Sequence, residues 1–147
     1  NHHCFALKEN NLLFSGDHVM GWNTTIVSPP DGNMREYLDS LRVCLARDED
    51  LYLPGHGPEI TNTKPFVQAY LNHRLMREAQ IAKFLDEGAD TIPELVRRIY
   101  THLPEKMHGA AARSVQAHME HMVGTNRAIC DGPVTASSVF VPGPASA

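Results

Sequence analysis

Two apolar runs in this chain each close on a glycine followed by a metal-ligating side chain. They read Phe14-Ser15-Gly16-Asp17-His18, and Leu51-Tyr52-Leu53 leading into Pro54-Gly55-His56-Gly57-Pro58. Strands that stop at glycine hold the next residue at a fixed exit, where a metal site needs its ligands placed in advance. Asp17 offers hard carboxylate oxygens and His56 an imidazole nitrogen, and both suit zinc. Flanking glycines let the His56 backbone come close to a neighbour. The competing reading of Asp17 is a turn or helix cap at a strand end. A plain surface turn would explain Pro-Gly but has no need of His56.

The pattern around these motifs predicts alternating strands and helices. Cys4 to Leu7, a polar turn at Lys8-Glu9-Asn10-Asn11 and Leu12-Leu13-Phe14 read as two joined strands. Asn33 and Glu36 fit a capping box, after which Met34, Leu38, Leu41 and Leu45 share one helical face to about Ala46. Leu51-Tyr52-Leu53 then reads as a buried strand, and strand, helix, strand suits an α/β layer. Thr63 is placed to cap a long helix from Lys64-Pro65 to Gly88, with Phe66, Val67, Tyr70, Leu71, Ala79, Ile81, Ala82 and Leu85 as its apolar face. Thr91-Ile92-Pro93-Glu94 reads as a second capping box opening a short helix. A further helix carries Ala111, Val115, Met119 and Met122 to Gly124. Arg127 to Cys130 and Val139 to Val141 can pair as a hairpin, and Pro142 to Ala147 reads as a frayed end. Three helices and a hairpin is the order of a winged helix.

Composition narrows the class. With 147 residues, 42% of them hydrophobic, the chain can bury a core in one domain or two small ones. No apolar run approaches the roughly 20 residues needed to span a bilayer, and no signal-peptide pattern opens the sequence, so a cytoplasmic, membrane-free protein is expected. Cys4, Cys44 and Cys130 are odd in number and widely spaced, which argues for reduced, partly buried thiols. A net charge of −4 gives no general attraction to nucleic acid. Arg74 with Arg77, and Arg97 with Arg98, read as solvated helix faces among acidic neighbours. No nucleotide-cradling glycine loop or Gly-x-Ser-x-Gly elbow is present.

The strand-end Gly16-Asp17 and the later Pro54-Gly55-His56-Gly57-Pro58 resemble the metallo-β-lactamase superfamily, in which such an Asp bridges two metals and such a His binds one. Ser28-Pro29-Pro30-Asp31-Gly32 and the helical tail resemble the branch of β-lactamase-like hydrolases with a C-terminal winged helix. The likeness runs over nearly the whole chain. It implies the C-terminal half of an αββα sandwich at 1–63, a linking helix at 64–87 and a winged-helix domain at 88–147. It also implies a zinc-dependent hydrolase, with two ions and a metal-activated water acting on an ester, thioester or phosphodiester.

The family's His-x-His-x-Asp-His signature is absent from these residues. The chain also opens on Asn1 within an apolar strand pattern, so it reads as part of a longer polypeptide. Catalytic zinc usually takes about three protein ligands, and only Asp17 and His56 carry over. Weak metal binding and an inactive isolated chain are therefore expected. A small molecule or RNA is the implied substrate, and a homo-oligomer is a possible assembly.

Other side chains are weighed on their own patterns. His18 follows Asp17 directly and is a candidate for supporting the ligands or touching substrate. Trp22 either lines a substrate pocket or covers the edge of the core. His2 and His3 alternate across a strand and read as structural. His118 and His121, with His108 nearby, read as a solvated helix face. The rival function is a metal-free winged helix binding nucleic acid or protein. Its third helix offers mainly Lys106, Arg113 and Gln116, with Ala110 to Ala112 between, which favours packing over base readout.

Overall fold

The computed structural model describes residues 2–144. They form two compact units, one made of the residues up to Ile26 with Glu36–Arg74, the other of Val27–Arg35 with the residues from Leu75 on.

In the first unit, β1 (Phe5–Leu7) and β2 (Leu12–Gly16) pair antiparallel, and β2 pairs parallel with β3 (Leu51–Pro54). Asn11, in the left-handed conformation, makes the turn between β1 and β2, and its side chain reaches Asp50 at 2.8 Å. A parallel pair needs a long crossover, and helix α1 (Met34–Leu45) lies within it. Leu13 and Tyr52 are register partners and both are buried, as are Leu38 and Leu41 of α1. The other face of the sheet carries Phe5, Leu7 and Phe14, which are exposed.

Helix α2 (Thr63–Asp86) is shared by both units. Its buried positions are 63, 67, 70, 71, 74, 78, 81 and 85, the three-and-four spacing of a single helical stripe. Val67, Tyr70, Leu71, Ile81 and Leu85 fit that stripe as expected, but Arg74 and Glu78 occupy it too, and Ala79 is exposed. Arg74 is therefore no part of a solvated face. Thr63 is buried in the first turn and its hydroxyl donates to the Glu49 carbonyl at 3.0 Å.

The second unit holds α3 (Ile92–Ile99), α4 (His108–Gly124) and the antiparallel pair β4 (Ala128–Cys130) and β5 (Phe140–Pro142). Ile81, Leu85, Ile92, Leu95, Val115, Met119, Met122 and Phe140 make one apolar core. Thr91 stands at the N-cap of α3 but makes no side-chain cap bond; it bridges Val139 instead. The expected fraying from Pro142 is corrected: Pro142 ends β5, and the Gly143 amide donates to the Arg127 carbonyl at 3.0 Å. The remainder of that expectation, residues 145–147, lies outside the described residues. Cys4, Cys44 and Cys130 are free thiols, and burial pushes Cys44 up to about 11. Among the described residues no helix is long and apolar enough to cross a membrane.

Candidate functional site

Because β2 and β3 run parallel with Gly16 opposite Pro54, both strands release their following residues at the same end of the sheet. Asp17 and His56 are thereby brought together from separate loops. Asp17 Oδ1 lies 2.5 Å from His56 Nδ1. A carboxylate only accepts, so the hydrogen of this contact sits on Nδ1 and Nε2 is the ring nitrogen left outside it. Asp17 is half-buried and His56 is exposed.

Close backbone approach makes the contact possible. A Cβ on Gly55 would stand 2.8 Å from Asp17 Oδ1, and one on Gly21 would stand 2.1 Å from the Pro58 carbonyl oxygen. The Gly21 amide donates to the His56 carbonyl at 2.9 Å, and the Gly55 amide to the Gly16 carbonyl at 2.8 Å. Two loops are in this way fastened directly to each other.

Trp22 stacks on His56, with ring centroids 6.5 Å apart and planes 15° from parallel. It is 72% exposed, so it does not cover the core edge. An exposed indole face beside the carboxylate and imidazole is an apolar surface for a ligand. His18 is placed differently. Its ring is buried, lies edge-on to Tyr37, and has Nε2 3.1 Å from Ser40 Oγ on α1. Burial pushes its pKa down. His2 and His3 are exposed near β1.

Carboxylate and imidazole suit zinc in type, and the two side chains are adjacent. In number they fall short, because among the described residues no group of three or more His, Cys, Asp or Glu is placed to hold an ion. Zinc at a catalytic site usually takes about three protein ligands.

A second polar cluster, unexpected from the sequence, lies in the second unit. Glu78 is 1% exposed, and its carboxylate accepts from His121 Nδ1 at 2.7 Å and Arg127 Nη2 at 2.6 Å, with His118 Nδ1 at 3.3 Å. Burial opposes the charge, but the bonds from His118, His121 and Arg127 outweigh it and hold the carboxyl down to about 2. His118 is fully buried, which corrects its reading as part of a solvated face. Carboxylate and imidazoles are 40 and 43 residues apart in sequence, so local spacing carries no signal of their meeting.

The comparisons with known proteins agree with this architecture. Residues 91–132 match the family model of the beta-lactamase associated winged helix domain. The chain is 31% identical over 116 residues to the beta-lactamase-like protein 2 homolog of Caenorhabditis elegans, covering 78% of this chain and 38% of that protein. It is 33% identical over 115 residues to an atrochrysone carboxyl ACP thioesterase of Aspergillus fumigatus, covering 70% of this chain and 35% of that one. The chain thus spans well under half the length of these relatives. A metallo-beta-lactamase family protein from Thermus thermophilus superposes with a TM-score of 0.78 at 18% identity, over 96% of this chain and 45% of that one. The chain belongs to the metallo-β-lactamase-fold proteins and carries the C-terminal portion of that fold with its winged-helix domain.

Proposed function

We propose that Asp17 and His56 supply two ligands of a zinc hydrolase site whose other ligands come from polypeptide outside these 147 residues. The observation that carries this reading is the 2.5 Å contact between Asp17 Oδ1 and His56 Nδ1 at the shared exit of two parallel strands. Two zinc ions would supply Lewis acidity and lower the pKa of the hydrolytic water.

The chain's own residues have separate tasks. Asp17, at the start of one loop, would offer carboxylate oxygens to a metal, and His56, on the other, one imidazole nitrogen. Trp22 offers its exposed face to the apolar part of a substrate. His18, buried against Tyr37 and Ser40, anchors the segment that follows Asp17.

A thioester is the substrate class we favour. The relative from Aspergillus fumigatus is called an ACP thioesterase, and an indole surface suits an acyl chain better than a phosphodiester.

The test is zinc uptake and acyl-coenzyme A hydrolysis by the chain, beside an Asp17→Ala, His56→Ala double variant. Weak uptake that disappears in the double variant, without turnover in either, supports the reading. Uptake unaffected by the double substitution contradicts the ligand assignment. Tight stoichiometric uptake with turnover contradicts the shared site.

A further inference from the structure

The segment from Asp17 to Thr25 leaves β2 and forms no strand or helix. Backbone carbonyls in such a segment have no ladder to accept from, yet buried ones need donors. Side chains supply them here. Thr25 Oγ1 donates toward the Asp17 carbonyl at 2.5 Å and the His18 carbonyl at 3.1 Å, and Tyr37 donates to the His18 carbonyl at 3.1 Å. The Tyr70 hydroxyl lies against the carbonyls of both Met20 and Asn23, and Arg74 Nη2 donates to the Thr25 carbonyl.

Arg74 is the unusual member. It is 3% exposed, its guanidinium carbon stands 5.3 Å from the Tyr37 ring centroid, and its Nε has no partner among the described residues. Burying a cation for one carbonyl and the ring and hydroxyl of Tyr37 is a poor exchange if stability were all that was gained. Tyr70 and Arg74 are also four residues apart on α2, hence on the same side of the helix. Both are directed at the segment that holds Asp17 at one end and Trp22 near its middle.

We propose that Tyr70 and Arg74 are positioning residues, which hold the 17–25 loop so that Asp17 and Trp22 meet His56. The role deepens, and rests on, the reading of Asp17 and His56 as a hydrolytic site. Neither residue touches the reacting atoms. Each acts through the backbone: Tyr70 from the two sides of Trp22 at Met20 and Asn23, and Arg74 at the far end of the loop. Freed of them, the loop can lift from the His56 loop while the sheet beneath it stays paired.

The Gly21 amide reports that lifting, because its bond to the His56 carbonyl joins the two loops at 2.9 Å. The Tyr52 amide, bonded to the Ile60 carbonyl at 2.9 Å, reports the fold beneath. Native-state hydrogen exchange is compared in wild type, Tyr70→Phe, Arg74→Met and Arg74→Lys. Exchange at Gly21 is expected to accelerate about tenfold in Tyr70→Phe and Arg74→Met, the loss of one hydrogen bond's worth of protection, with Tyr52 unchanged. Arg74→Lys, which keeps a positive charge and N–H donors, is expected to restore part of the protection.

Unchanged Gly21 protection in Tyr70→Phe and Arg74→Met would overturn the proposal. So would equal acceleration at Gly21 and Tyr52, which would mark these side chains as general supports of the fold. Metal takes no part in this measurement, so its outcome stands apart from whether Asp17 and His56 bind zinc.

Discussion

Asp17 Oδ1 and His56 Nδ1 lie 2.5 Å apart although 39 residues separate them in the chain. The crossover through α1 returns β3 parallel to β2, so both motif loops leave the sheet at one end. An antiparallel return would have put Asp17 and His56 at opposite ends of the sheet.

The first prediction concerns the seam between the loops. A Cβ on Gly21 would meet backbone, the Pro58 carbonyl oxygen, at 2.1 Å, whereas one on Gly55 would meet the Asp17 carboxylate at 2.8 Å. Side chains can turn aside more cheaply than backbone. Gly21→Ala is therefore expected to part the loops at a cost of about 1–3 kcal/mol, and Gly55→Ala to cost less while still displacing Asp17. Urea unfolding measures the cost, and the stacking of Trp22 on His56, followed by tryptophan fluorescence, reports the parting.

A second prediction is a pH dependence centred on Glu78. A carboxyl held down from 4.5 to about 2 contributes stability that is present above pH 4.5 and is lost as pH falls toward 2. The amount is about 3 kcal/mol. Glu78→Gln is expected to lower stability at neutral pH by about 2–3 kcal/mol and to flatten the loss between those pH values. Chemical denaturation across that range, followed by amides of α4 and β4, checks it.

The exposed face of the three-stranded sheet leads to a third. Phe5 is 67% exposed and Phe14 44%, and the two are register partners on adjacent strands. Apolar patches of this kind promote association. The chain alone is expected to self-associate through this unit, and Phe5→Ser with Phe14→Ser to shift it toward monomer. Sedimentation velocity of both proteins decides the matter; a monomeric wild-type chain would contradict it.

Much of the architecture was legible because apolar periodicity reports burial. Met34, Leu38, Leu41 and Leu45 marked α1, and Ala111, Val115, Met119 and Met122 marked α4, close to their observed bounds. The Asp17 and His56 motifs were legible because glycine and proline punctuate strand ends. Arg74, Glu78 and His118 were not, since a charged or polar residue on a helix is ordinarily assigned to solvent. Their partners Thr25, Arg127 and Glu78 come from distant parts of the chain, and burial there is decided by tertiary packing. Thr91 shows a similar limit, for its capping-box pattern is present while the cap bond is not made.

Zinc titration followed by NMR of the histidine rings and the Trp22 indole is the most direct measurement. A half-site at Asp17 and His56 predicts that the earliest shifts fall on His56 and Trp22 with weak affinity, and that Asp17→Ala removes them. First shifts at His2, His3 or His108, with His56 and Trp22 unmoved, would contradict it.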